Sequence, residues 1–368
     1  MRHQMFVRLT ATLAVAITAS RTLVAEDLNP KYREVVNKGL EYLARVQHRD
    51  GHWEANGGQY PVTMTAMAGM AFLMEGSTIR EGKYCERIRK AVDWLMERTQ
   101  RNGLIGNPSN AAEAGRYMYG HGFSLLFLSQ VYGEEEDLDR RKKLEGILTR
   151  AVEFTGKAQS TLGGWYYTSA ADGHNADEGS VTITQMQALR AARNAGIVVP
   201  KGIIDKAIKY LQNSTTPRGG VIYSLSQGGG RAMGGERAPL TAAAISCAFS
   251  AGEYNSEYGK KWLKFCLDAI PIDRSGRDSF GHWEYTHYYY AQALYILGDQ
   301  GYAKLFPESK SPNQLTWSKY KDVIFDYIAS RQGSDGGWSS GHIGPVYTTS
   351  CYLAILQLDN GTLPIYQR

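Results

Sequence analysis

Two adjacent carboxylates, Asp177 and Glu178, stand just before the apolar run Val181 to Leu189. Acidic side chains at a helix start satisfy free backbone N–H groups and complement the helix dipole. The same place can also hold a Brønsted acid. A helix N-terminus favours the ionised form, so a proton donor there needs burial or a second carboxylate beside it. Capping and acid catalysis are both open readings, with Asp177 as the candidate acid and Glu178 as its partner. A second set of residues could hold a ligand: Tyr117, Tyr119, His121, Tyr166, Glu284, Tyr285, His287 and Tyr347. Tyrosine rings can stack on sugars, stabilise a cation through the ring quadrupole, or simply fill a wall. Histidine carries protons near neutral pH or packs as a neutral ring. His282 and His287 are five positions apart and do not share a helix face as zinc-binding i, i+4 pairs do, so the expectation is no metal and no cofactor.

The elements that must position these residues form a repeat. Gly163-Gly164-Trp165 is a glycine turn with an aromatic plug, preceded by an amphipathic run with Gln159 and followed by an apolar run. The same order recurs at Gln47…Gly51-His52-Trp53, Gln100…Gly103-Leu104 and Gln212…Gly219-Gly220-Val221, then at Gly281-His282-Trp283 and Gln332…Gly336-Gly337-Trp338. The turns return roughly every 50 to 60 residues, which is a helix-pair period. Amphipathic and all-apolar helices that alternate in six pairs predict a closed ring, apolar helices inside and amphipathic ones outside. An open solenoid would need polar capping repeats at its ends, and the chain shows none. Trp53, Trp165, Trp283 and Trp338 are expected to be structural plugs, since each occupies the same repeat position.

The turn after a Tyr-Leu…Gln helix, as in Tyr42-Leu43…Gln47…Asp50-Gly51-His52-Trp53, resembles the prenyltransferase and squalene-oxidase repeat. The resemblance implies the all-α (α/α)6 toroid of the terpenoid cyclase and protein prenyltransferase superfamily. Class II cyclases of that superfamily use an Asp-x-Asp-Asp motif whose central acid protonates the isoprenoid. The nearest match is Asn175-Ala176-Asp177-Glu178, with Asp177 in the central place, Asn175 in place of the first aspartate and Glu178 in place of the last. The zinc site of the prenyltransferases needs an Asp-x-Cys pair and a late histidine, where this chain has Thr348-Thr349-Ser350-Cys351-Tyr352.

Arg2 and Arg8 precede the apolar run Leu9 to Ala19, and Leu23-Val24-Ala25 leads into Glu26-Asp27. This order predicts a signal peptide over residues 1–25, export to the periplasm or medium, and one toroid domain over residues 26–368. The apolar run is too short to span a membrane comfortably, so no stable membrane span is expected. Loss of residues 1–25 would take Arg2, Arg8 and Arg21 with it and lower the formal charge from +5 to +2. A nearly neutral chain gives no reason to expect nucleic acid or an anionic membrane as partner.

With outer helix first and inner helix second, all six inner-helix N-termini face one mouth. The tyrosine-rich rim above an apolar interior is expected to bind an apolar or amphiphilic small molecule or a glycan in the central cavity. Two alternatives stand beside this reading. One is a terpenoid cyclase or isomerase-like enzyme with Asp177 as acid. The other is a protein-interaction scaffold whose partner protein is unknown.

Overall fold

The computed structural model describes residues 28–226, 235–250, 255–272, 281–310, 314–339 and 341–367. The expected targeting segment and most of the glycine-rich stretch 228–235 lie outside the described residues.

The described residues build helices and isolated bridges, without an extended strand. The outer helices are α1 (Pro30–Val46), α3 (Cys85–Glu97), α5 (Leu138–Ala158), α7 (Lys201–Asn213), α9 (Glu257–Ala269) and α12 (Trp317–Ala329). The inner helices are α2 (Pro61–Glu75), α4 (Tyr117–Tyr132), α6 (Gly179–Asn194), α8 (Ala238–Ser250), α10 (Trp283–Leu297) and α13 (Pro345–Leu356). A short α11 (Gly301–Leu305) lies between α10 and α12. Each inner helix packs on the next around the circle, and α13 returns to α2. The outer helices cover them, with α1 against both α12 and α13. This is the (α/α)6 toroid. Its logic is in the composition of the helices: α2 is buried from Pro61 to Met74, whereas α1 buries only Val36, Gly39, Leu40, Tyr42 and Leu43.

One joint, repeated, holds consecutive pairs together. Gln47, just past the end of α1, donates its amide to the Gly51 carbonyl at 2.9 Å and to the Arg87 carbonyl of α3 at 3.0 Å. Gln159 does the same with Gly163 and Ile203, and Gln332 with Gly336 and Val35. Gly51, Gly103, Gly163, Gly219 and Gly336 all have positive φ, from 88° to 104°. Each lies flat against a carbonyl of the next outer helix, where a side chain would collide. The tryptophan then enters the core. Trp53, Trp165 and Trp338 each donate the indole N–H at 2.8 Å to the carbonyl ten residues earlier. Their backbone N–H groups donate to an inner-helix threonine at 3.0 Å: Thr65, Thr182 and Thr349 respectively.

At the joint between the sixth pair and the first, a Cβ at Gly336 would lie 2.5 Å from the Lys38 carbonyl oxygen. Gly336→Ala is expected to cost about 3 kcal/mol, because left-handed strain and a backbone clash add. At Gly57 φ is 68° with no atom near its Cβ direction, so Gly57→Ala should cost only about 1 kcal/mol. Equal urea midpoints for the two variants would refute the joint.

The fifth turn departs from the expectation. Trp283 is the first residue of α10 and stacks on His287 at 4.0 Å. Thr286 donates to the carbonyl four residues before it, as Thr182 does, so Thr286 is the threonine of this repeat. Trp283 therefore sits three residues before that threonine, inside the helix rather than in the turn. The four cysteines carry free thiols, and Cys247, Cys266 and Cys351 are buried.

The end of the ring away from the inner-helix N-termini is closed by the chain itself. Beyond α13, Asn360 and Thr362 donate to the Met74 carbonyl at the end of α2. The turn Pro364–Tyr366 reaches across to α6, and the Tyr366 hydroxyl meets that of Tyr288 at 3.1 Å. Within the lumen, Phe123 of α4 and Tyr288 of α10 contact each other edge-on at 6.5 Å between centroids. These two helices lie diametrically opposite, so at that level the ring is filled by side chains. No helix among the described residues is long and apolar enough to cross a membrane.

Candidate functional site

The open end of the ring gathers a carboxyl group among tyrosines. Glu178 is the N-cap of α6 and is 1% exposed. One of its oxygens accepts from the Ser180 N–H at 3.0 Å. The other accepts from the Val181 N–H at 2.9 Å and the Ser180 hydroxyl at 2.6 Å. Burial raises its pKa above the ordinary carboxylate range, against the lowering effect of those hydrogen bonds. The Tyr119 hydroxyl lies 2.5 Å from Ser180 Oγ, one step from the carboxyl. Tyr167 and Tyr223 join hydroxyl to hydroxyl beside it.

Burial first, and then the Glu178 charge, push the phenols of Tyr119, Tyr167 and Tyr223 up. In Tyr285 burial again leads, followed by Tyr289 and Glu178. The Tyr285 hydroxyl is buried and has no hydrogen-bond partner among the described residues. Tyr347 sits next along the rim, its phenol raised by burial and then by Cys351 and Glu284. Glu284, in the first turn of α10, is 8% exposed.

Asp177 has different work. Its carboxylate accepts from the Tyr210 hydroxyl at 2.9 Å, the Leu225 N–H at 2.8 Å and the Ser226 N–H at 3.0 Å. It ties the loop before α8 to the third repeat and is fully buried. Tyr117 donates to Asp172 and accepts from the Ser169 N–H, clamping the loop before α6. Tyr166 is half-buried against Tyr167, at 4.6 Å between rings.

The two candidate histidines turn away from the mouth. His121 Nδ1 accepts from the Ile105 N–H at 3.1 Å, which places the proton on Nε2 toward Thr155 Oγ1 at 2.9 Å. His121 thus stands where the other repeats put threonine, and Ile105 where they put tryptophan. His287 pairs its Nδ1 with the Tyr320 hydroxyl of α12 at 2.9 Å. Burial lowers both pKa values to about 3, so both rings are neutral.

The mouth therefore brings together Tyr119, Glu178, Glu284, Tyr285 and Tyr347. Sequence reasoning misses Tyr167 and Tyr223, although each lies two residues after a plug position, at Trp165 and Val221. That shared offset is the signal that could have found them.

A closed ring of six helix hairpins with polar groups at the inner-helix N-termini defines the α/α toroid class, and comparison with known proteins places the chain within it. No protein-family model matches. Human lanosterol synthase is 29% identical over 113 residues, 31% of this chain, and the mouse enzyme 30% identical over 86 residues, 23% of this chain. The chain spans only 15% and 12% of the length of these curated relatives. Among solved structures, the GH76A α-1,6-mannanase of Salegentibacter sp. HEL1_6 superposes with a TM-score of 0.63 at 11% identity, covering 90% of this chain and 99% of that one. The type II terpene cyclase MstE from Scytonema, in complex with geranylgeranyl dihydroxybenzoate, gives 0.57 at 11% identity, covering 90% and 98%. The fold of the chain is the α/α toroid, similar to those of the terpene cyclase and the mannanase.

Proposed function

We propose that the ring binds a glycan at the mouth formed by Tyr119, Tyr167, Tyr223, Tyr285 and Tyr347, with the Glu178 carboxyl beneath. The observation that carries this reading is the cluster of phenol groups around one buried carboxyl, above a floor closed by Phe123 and Tyr288. Tyr119 and Phe123 are four residues apart on α4, so the tyrosine level stands a depth of about 6 Å above the Phe123–Tyr288 contact along that wall. That depth suits a sugar ring lying against aromatic faces better than the length of an isoprenoid chain. The toroidal mannanase, whose inactive variant was solved with α-1,6-mannotriose, supports the ligand class by analogy.

A second reading, acid catalysis on the bound glycan, has one observation in its favour: burial raises the pKa of Glu178 above the ordinary carboxylate range. In this reading Glu178 donates the proton, while Asp177 holds the wall. Inactive variants of the mannanase replace two consecutive aspartates, and Asp177-Glu178 is a consecutive acidic pair here. Export from the cell remains part of this proposal, since a glycan ligand suits an exported protein.

Calorimetric titration with α-1,6-mannooligosaccharides, and in parallel with a geranylgeranyl amphiphile, tests the ligand class. Tyr285→Phe should leave the unfolding midpoint unchanged, because no described bond is lost, and weaken glycan binding about two- to tenfold. Glu178→Gln should abolish any turnover while binding persists. Binding of the amphiphile alone, or glycan affinity indifferent to Tyr285→Phe and Tyr119→Phe, would sink the reading.

A further inference from the structure

At the edge of the same mouth, the first glycine turn holds a cluster that the bowl does not use. His48 and His52 lie on either side of Gly51, whose N–H donates to the His48 carbonyl at 3.0 Å. The His48 N–H donates to the His52 carbonyl at 2.9 Å, so the turn is closed from both sides. The two imidazoles lie face to face, 4.2 Å between centroids and 20° between planes. Nε2 of each lies 3.7 Å from the Glu54 carboxylate, His48 from one oxygen and His52 from the other.

His52 is oriented from behind. Its Nδ1 donates to Asp50 Oδ1 at 2.6 Å, and Asp50 Oδ2 accepts from the Trp94 indole N–H at 3.0 Å. The His52 ring also stacks on Trp94 at 5.0 Å. A carboxylate on one nitrogen of an imidazole fixes the tautomer and leaves a bare lone pair on the other, which is the arrangement found behind metal-binding histidines.

We propose that His48, His52 and Glu54 bind a divalent metal ion of the zinc class. One donor atom from each residue lies within 4.8 Å of the others. Donors 2.1 Å from a shared tetrahedral ion are about 3.4 Å apart, so the cluster needs only a small contraction. His48, with a side chain 44% exposed, supplies it by tilting out of the stack. Two imidazoles and a carboxylate suit zinc, and also copper and nickel, better than calcium or magnesium. Three protein ligands leave a fourth position. His52 and Glu54 also line a cleft of about 250 Å³ together with Arg98, Asn107 and Glu113. The competing account is an exposed ion pair between Glu54 and whichever histidine is protonated. That account also uses the Asp50–His52 contact, so metal uptake is what separates the two.

The test uses the tag-free full chain, stripped with chelator and titrated with zinc against a chromogenic competitor. One equivalent of zinc per chain is expected, along with visible tetrahedral absorption when cobalt replaces it. His48→Ala with His52→Ala should abolish uptake with an unchanged circular dichroism spectrum. Asp50→Ala, which removes no ligand, should weaken affinity about ten- to hundredfold. His174→Ala, at an exposed histidine elsewhere, should change nothing. Absence of zinc uptake by the parent chain, or undiminished uptake by the double variant, overturns the site.

Discussion

Trp165→Ala is expected to lower the stability of the ring by about 4 kcal/mol, a large share of the roughly 5–15 kcal/mol typical of folded proteins. The indole is fully buried, so alanine leaves a cavity that the surrounding helices cannot close. It also loses the indole bond to the Thr155 carbonyl. Trp165→Phe retains most of the apolar volume and should cost about 2 kcal/mol, largely for the carbonyl left unpaired. Urea unfolding, read as a midpoint shift at constant slope, separates the two. A cost below about 1 kcal/mol for Trp165→Ala would mean the tryptophans decorate the joint rather than make it.

The second large effect is acid lability. His121 and His287 are neutral in the fold, with pKa values lowered to about 3 by burial, whereas an unfolded chain titrates them near 6.5. Between those limits the unfolded state binds two more protons than the folded state. The stability these rings provide is complete above about pH 6.5 and drains as pH falls toward 3, at about 3 kcal/mol per pH unit for the pair. Buried Glu113 and Glu178 act in the opposite sense, because their raised pKa values make the folded state take up protons first above about pH 4.5. The steepest loss is therefore expected below that pH. His121→Thr installs the residue that the five other repeats use at this place, and should remove about 1.4 kcal/mol per pH unit from the slope. Denaturant midpoints across pH 3–7 measure it. An unchanged slope would show that His121 is not held neutral.

The ring was legible because its signals are local and repeated. Alternation of amphipathic with all-apolar helices, together with six glycine turns, leaves few other ways to bury those surfaces. Three features were not legible, each for a physical reason. Trp283 sits two residues after a glycine like Trp53, Trp165 and Trp338, and only the Thr286 bond reveals its different register. His121 looks like a proton carrier until its two partners, Ile105 and Thr155, are seen to occupy both nitrogens. The residues Leu363 to Tyr366 have no period at all; their place across the ring follows from packing against α6 and from Tyr288. At the mouth, the sequence names Glu178 next to Asp177 but cannot say which of them meets the tyrosines. Three donors to Asp177, the Tyr210 hydroxyl and the N–H groups of Leu225 and Ser226, decide that. The helix-face rule applied to His282 and His287 does not reach His48 and His52, which a glycine turn folds together.

The Gln332 and Gly336 joint binds the last helix pair to Val35 and Lys38, almost three hundred residues earlier, with the same chemistry that binds neighbours elsewhere. A linear array of helix pairs melts from its ends, where a unit leaves by breaking one contact surface. Here every unit has two neighbours, so no segment is a natural place for unzipping to start. Amide hydrogens of the first and sixth pairs should exchange as slowly as those of the third, through opening of the whole circle. The same closure makes assembly wait for its most distant contact, so the molecule gains an even grip on its structure at the expense of speed in reaching it.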